Sequence, residues 1–129
     1  MNREILFRGK LLDNGKLVEG SLIGEDVIVG KIVDFEEDYF TTEFWYKVDP
    51  ETVGQFTGRY DKNDKEIFER DIVVNKNIHG KKWIVEYRTD SEYVGFVLKE
   101  IGTNGISLFT SWNDIEVIGK IHDNKDLLK

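Results

Sequence analysis

The sequence predicts an all-β protein: a small SH3-like barrel of about five strands, preceded by an additional N-terminal β-hairpin region, with helices of one turn only. Three observations carry this. Alanine, the best helix former, is absent from the 129 residues, whereas Val and Ile, which prefer a pleated half-buried surface, outnumber Leu by 25 to 9. Turn signals built on Gly, Asn and Asp recur at short intervals. No stretch shows the 3.6-residue apolar period of a long amphipathic helix.

The elements follow in order. Ile5-Leu6-Phe7 opens a strand toward Leu11-Leu12. Asp13-Asn14-Gly15-Lys16 holds an Asn-Gly pair, a strong hairpin signal because both residues tolerate positive φ. Leu17-Val18 through Leu22-Ile23 returns, and Val27-Ile28-Val29 and Ile32-Val33 follow. Asp34-Phe35-Glu36-Glu37-Asp38 reads as an acidic loop, and residues 39–46, aromatic and β-branched, as one strand. Asp49-Pro50-Glu51 has the form of a helix start cut short by Gly54.

Residues 57–74 organise the second part as strand, polar turn, apolar pair, turn and strand. Lys76 to Lys81 form a further turn. In the strand after it Trp83, Val85 and Tyr87 alternate with polar Lys82, Glu86 and Arg88, a pattern broken only by Ile84, which places all three on a buried side. Tyr93 to Leu98 is a strand, Gly102-Thr103-Asn104-Gly105 a hairpin, and Ile106 to Phe109 its return. Ser111-Trp112-Asn113-Asp114 reads as one tight helical turn, Ile115 to Ile121 as the last strand, and 123–128 as a closing capped turn.

Length allows one domain, with residues 1–56 as the hairpin and aromatic-strand region and 57–129 as the barrel portion. Cysteine is absent, as suits a reducing cytoplasm. No apolar run approaches the roughly 18 residues of a membrane span, and the N-terminus lacks the features of a signal peptide. The net charge of −7 is concentrated in residues 13–51, with 11 acidic and 3 basic side chains. That half repels phosphate, and its charge serves solubility, a basic partner or mimicry of DNA.

Certain residues carry more than pattern. Val48-Asp49-Pro50-Glu51-Thr52-Val53-Gly54-Gln55-Phe56-Thr57-Gly58, then Asp61-Lys62-Asn63, Lys65-Glu66-Ile67-Phe68-Glu69 and Asp71-Ile72-Val73, resemble the central signature of the YopX family of bacteriophage and prophage proteins. Phe7-Arg8-Gly9-Lys10 with Asn14-Gly15 and Gly20-Ser21-Leu22-Ile23 resembles the family's N-terminal hairpin. Val117-Ile118-Gly119-Lys120-Ile121 with Asp123-Asn124 and Leu127-Leu128 resembles its C-terminal end, while 24–47 carries none of the likeness. The resemblance implies a phage or prophage origin in a Gram-positive-type bacterium and no particular activity. Where the family has Gly, this chain has Asp64 and Arg70, and where it often has Pro, Lys125. Asp64 tolerates a left-handed turn conformation, whereas Arg70 is expected at an ordinary negative φ.

Candidate sites are each weighed against a simpler role. Glu66, Glu69 and Asp71 gather three carboxylates at one turn, but without calcium-loop spacing; Gly58, Asp61 and Asp71 read as structural turn residues. Asp34, Glu36, Glu37 and Asp38 form an acidic patch that is a weak calcium or phosphate-mimic candidate, or simply solvated. His79 and His122 lack partners at zinc-ligand spacing. No nucleotide-binding, nucleophile-elbow or disulfide motif is present, so no catalytic residue, cofactor or metal is assigned. Lys76, Lys81, Lys82 and Arg88 form a basic cluster that a single-stranded nucleic acid would use. Phe40, Phe44, Trp45 and Tyr46 exceed what one small barrel needs and suit an interface, including one between copies. The expectation is a non-enzymatic interaction module of the host cytoplasm with a protein partner or itself. A strand-binding barrel and an acidic DNA mimic remain as alternatives.

Overall fold

The computed structural model describes residues 5–108 and 114–128. It is built almost entirely of strands: β1 (Phe7–Leu11), β2 (Leu17–Ile23), β3 (Val27–Val29), β4 (Ile32–Phe35), β5 (Phe40–Thr42), β6 (Trp45–Tyr60), β7 (Glu66–Phe68), β8 (Asp71–Asn75), β9 (Trp83–Thr89), β10 (Val94–Glu100), β11 (Ile106–Leu108) and β12 (Ile115–Lys120). A 3-10 turn occupies Lys125–Leu128. The all-β class is therefore borne out. The chain forms two compact units, 1–56 and 57–129.

In the first unit β1 pairs with β2, β2 with β3, β3 with the start of β6, and β6 with β1, so the antiparallel pairings close a circuit. Ile28, Val48 and Phe56 form its buried apolar positions, and Arg8 is buried as well. Gly9 faces inward: a Cβ there would lie 3.0 Å from Val48 Cγ2 and 3.3 Å from Ile28 Cδ1. The Asn14-Gly15 turn forms with only Gly15 at positive φ (70°). Asn14 Oδ1 instead accepts the Lys16 N–H at 2.9 Å.

The expected helical start at Asp49-Pro50-Glu51 is not a helix. Those residues lie inside β6, where Gly9 of β1 is faced by residues 50–53 between the pairs Arg8↔Gly54 and Lys10↔Asp49. Local bonds that would cap a helix stabilise a bulge instead. Asp49 Oδ1 accepts the Glu51 N–H (3.0 Å), the Thr52 hydroxyl donates to the Asp49 carbonyl (2.6 Å), and Thr52 Oγ1 accepts the Lys10 N–H (2.9 Å). Cross-strand pairing on both sides overrides the local preference, and Pro50 is tolerated because a bulge needs no ladder N–H from it.

Two further elements differ from expectation. The acidic segment is not wholly a loop, since Asp34 and Phe35 belong to β4, which pairs with β5 through Ile32↔Thr42, Asp34↔Thr41 and Phe35↔Phe40. The aromatic run 39–46 is not one strand either, because it breaks at Glu43-Phe44 into β5 and the start of β6. The Glu43 N–H donates to the Lys31 carbonyl and the Gly30 N–H to the Phe44 carbonyl, so the β4–β5 arm leaves and rejoins the unit at one neck.

In the second unit the strand order is β11-β10-β9-β8-β12, antiparallel throughout. Ile67, Val73, Trp83, Val85, Leu98, Ile115 and Val117 make its core. The five-strand rhythm matches the sequence expectation, but closure into an SH3-like barrel is not among the described pairings. Trp83 is in the core with Val85, whereas Tyr87, expected beside them, is 48% exposed and packs edge-on to Phe96 at 5.0 Å. Tyr87 meets the core through Phe96, which is partly buried against it. The helical turn expected at 111–114 lies outside the described residues except for Asp114.

Candidate functional site

The turn residues are explained from the backbone upward. Asp61 is buried, and its two oxygens accept three backbone N–H groups: Asn63 (2.8 Å) and Lys65 (2.9 Å) on Oδ1, and Val117 (2.9 Å) on Oδ2. Burial pushes its carboxyl up, but those N–H donors of Val117, Lys65 and Asn63, with the Lys65 charge, more than offset this and hold it below the usual carboxylate value. The same residue thus shapes the 61–65 turn and ties it to β12. Asp64 at φ 61° completes the turn.

Asp71 is fully buried, and its Oδ2 accepts the Phe68 N–H at 2.8 Å across the β7–β8 turn. Between them Arg70 stands at φ 78°, contrary to the expectation of an ordinary φ. Its backbone is held from both sides, the N–H donating to Val85 (2.8 Å) and the carbonyl accepting from Ile121 (3.1 Å). Those contacts and the Asp71 bond impose a conformation that a glycine would adopt without strain. Gly58 also has positive φ (86°). Glu69 lies in this turn and Glu66 opens β7, and among the described residues no three His, Asp or Glu side chains are placed to share a metal ion.

The basic cluster is engaged by the protein's own carboxylates. Lys76 Nζ lies 3.2 Å from Asp114, Lys81 Nζ 3.5 Å from Glu100, and Arg88 Nε 3.1 Å from Asp90; Lys82, too, has a partner. Asp90 accepts the N–H groups of Tyr93 and Glu92 in the β9–β10 turn. These bonds, with Arg88 beside it, hold its carboxyl below the usual range. His79 lies in the exposed turn before Gly80 (φ 79°), and His122 in the turn after β12 with its Nε2 buried.

The remaining candidates gather on the first unit. Every residue from 31 to 41 is exposed, so β4 and most of β5 project as an uncovered arm. On it stand Phe35 (71% exposed), Tyr39, Phe40, Ile32 and Val33. Phe35 and Phe40 face one another at 6.1 Å. At the neck Trp45 is 64% exposed and Tyr46 is exposed, while Phe44 is half-buried and stacks on Tyr46 at 5.5 Å. Sequence reasoning singled out Phe40, Phe44, Trp45 and Tyr46 but missed Ile32, Val33, Phe35 and Tyr39. The interruption at Glu43 and the cross-strand return of β4 were the missing signals. Beside Tyr46 an open concavity of about 630 Å³ is lined by Leu11, Leu12, Leu17, Val18 and Lys47, among others.

The family model described as YopX protein matches residues 6–129. The chain belongs to the YopX family. Among solved structures it is similar to protein EF1440 from Enterococcus faecalis, at 21% identity and a TM-score of 0.64, covering 99% of this chain and 100% of that one. At that identity the likeness concerns the fold alone. No curated protein matches the sequence.

Proposed function

We propose that this YopX-family protein is a non-enzymatic interaction module, of phage or prophage accessory type, that works in the bacterial host cytoplasm by presenting the β4–β5 arm to another protein. The observation that carries this reading is the exposure of Ile32, Val33, Phe35, Tyr39 and Phe40 together on a two-stranded arm. An isolated two-stranded ribbon is marginal in water, and burying each large apolar side chain is worth about 1.5–3 kcal/mol. Large apolar residues gathered in the open on one element, outside any core, are what an interaction site presents. The buried carboxylates Asp61 and Asp71, by contrast, are committed to backbone N–H groups, which leaves them folding roles. The ion pairs at Lys76, Lys81 and Arg88 weigh against a nucleic-acid reading of that hairpin, since phosphate would have to displace carboxylates already in place.

The test is site-specific photo-crosslinking in the bacterial host. A photoreactive residue at Phe35 should yield one dominant protein adduct, and the same residue at Thr103 on the second unit should not. Equal adducts from both positions, or none from Phe35, would contradict the reading.

A further inference from the structure

We infer that the surface receiving the arm is a cleft with apolar walls and a basic floor on a different protein, an inference that rests on the interaction reading above. The arm is ordered from tip to base by chemistry. Its tip is turned by a bond from the Glu36 N–H to the Tyr39 carbonyl (2.8 Å) and carries Glu36, Glu37 and Asp38. Immediately behind the tip sits the Phe35–Phe40 pair, with Ile32 and Val33 further back. A receptor that buries the aromatic pair also receives the three carboxylates. Leaving them unpaired in a dry interface would cost more than the apolar burial returns, so cations must meet them.

Charge also selects the occupant. Residues 31–43 carry five acidic side chains (Asp34, Glu36, Glu37, Asp38 and Glu43) against one basic, Lys31. A second copy of this chain is a poor receptor: its net charge is −7, four of its 18 Lys and Arg side chains (Lys62, Lys76, Lys81 and Arg88) already pair with its own carboxylates, and in its apolar concavity Lys16 and Lys47 share the lining with Asp13. A cationic receptor is also drawn to the acidic tip over about a Debye length, so association should weaken as salt rises.

A displayed library of random 12-residue peptides, panned against the whole chain, tests this. Recovered peptides should combine Lys or Arg with aromatic or aliphatic residues. Their affinity should fall about tenfold or more for a Glu36→Lys, Glu37→Lys, Asp38→Lys variant, and again between about 50 and 300 mM salt. A Phe35→Ser, Phe40→Ser variant should lose binding while keeping its thermal unfolding midpoint. Neutral or acidic peptides that still need Phe35 and Phe40 would overturn the basic receptor and leave the interaction reading standing. Recovery of no peptide dependent on Phe35 and Phe40 would overturn both. A doubled mass by light scattering that returns to monomer in the Phe35→Ser, Phe40→Ser variant would identify a second copy as the occupant and overturn the inference.

Discussion

Asp61 shows how much one carboxylate can determine. Three backbone N–H groups converge on two oxygens, and an amide cannot replace that arrangement because its NH₂ has no lone pair for the N–H it faces. Asp61→Asn is expected to lower unfolding free energy by about 2–3 kcal/mol in urea titrations at neutral pH. The sign of its pH dependence follows from the lowered carboxyl. The ionised form is preferred in the folded state, so its stabilisation is full above the unfolded value of 3.8 and is lost as pH falls through the lower folded value. The wild-type midpoint should therefore fall more steeply below about pH 4 than that of Asp61→Asn, and parallel acid profiles would contradict this assignment. Arg70 is the converse case, a side chain that stands in a conformation costing about 1–2 kcal/mol for most residues other than glycine, asparagine and aspartate. Arg70→Gly should raise stability by about 1 kcal/mol by the same titration, and a loss would mean the guanidinium contributes more than the strain takes away.

At the level of elements, the second unit was the more legible in sequence. The i, i+2 spacing of Trp83 and Val85 between polar Lys82 and Glu86, broken only by Ile84, placed both in the core, and Gly102-Thr103-Asn104-Gly105 marked the β10–β11 turn, where the Glu100 N–H meets the Gly105 carbonyl. Asp49-Pro50-Glu51 was misleading because the same side-chain-to-backbone bonds serve a helix start and a bulge. Only the partner strand β1 decides between them. The register break makes Thr52 a joint between strands. Thr52→Val, which removes the acceptor for the Lys10 N–H and the donor to Asp49, should cost about 1–2 kcal/mol and speed amide exchange at Lys10. Arg70's φ was illegible because its cause lies in Val85 and Ile121, remote in sequence. The arm was half legible: aromatic composition drew attention to 40–46, but the pairing of Phe35 with Phe40 across the turn appears only in the fold.

For the molecule as a whole, the acidity of residues 13–51 coincides in the first unit with five of the seven exposed aromatic side chains among the described residues, while the core of the second gathers around Trp83. The family match spans both units, so folding signature and proposed contact surface divide differently: the diagnostic residues 48–73 make bulge and turns, and the arm falls in 31–43. Hydroxyl-radical footprinting of the arm aromatics tests the central proposal most directly. Phe35, Tyr39 and Phe40 in the purified protein should be oxidised readily, as their exposure requires. In the bacterial host the same three should be strongly protected, while Tyr87, exposed on the second unit, keeps its reactivity. Equal labelling of Phe35, Tyr39 and Phe40 inside and outside the cell would contradict an arm that is covered by a partner.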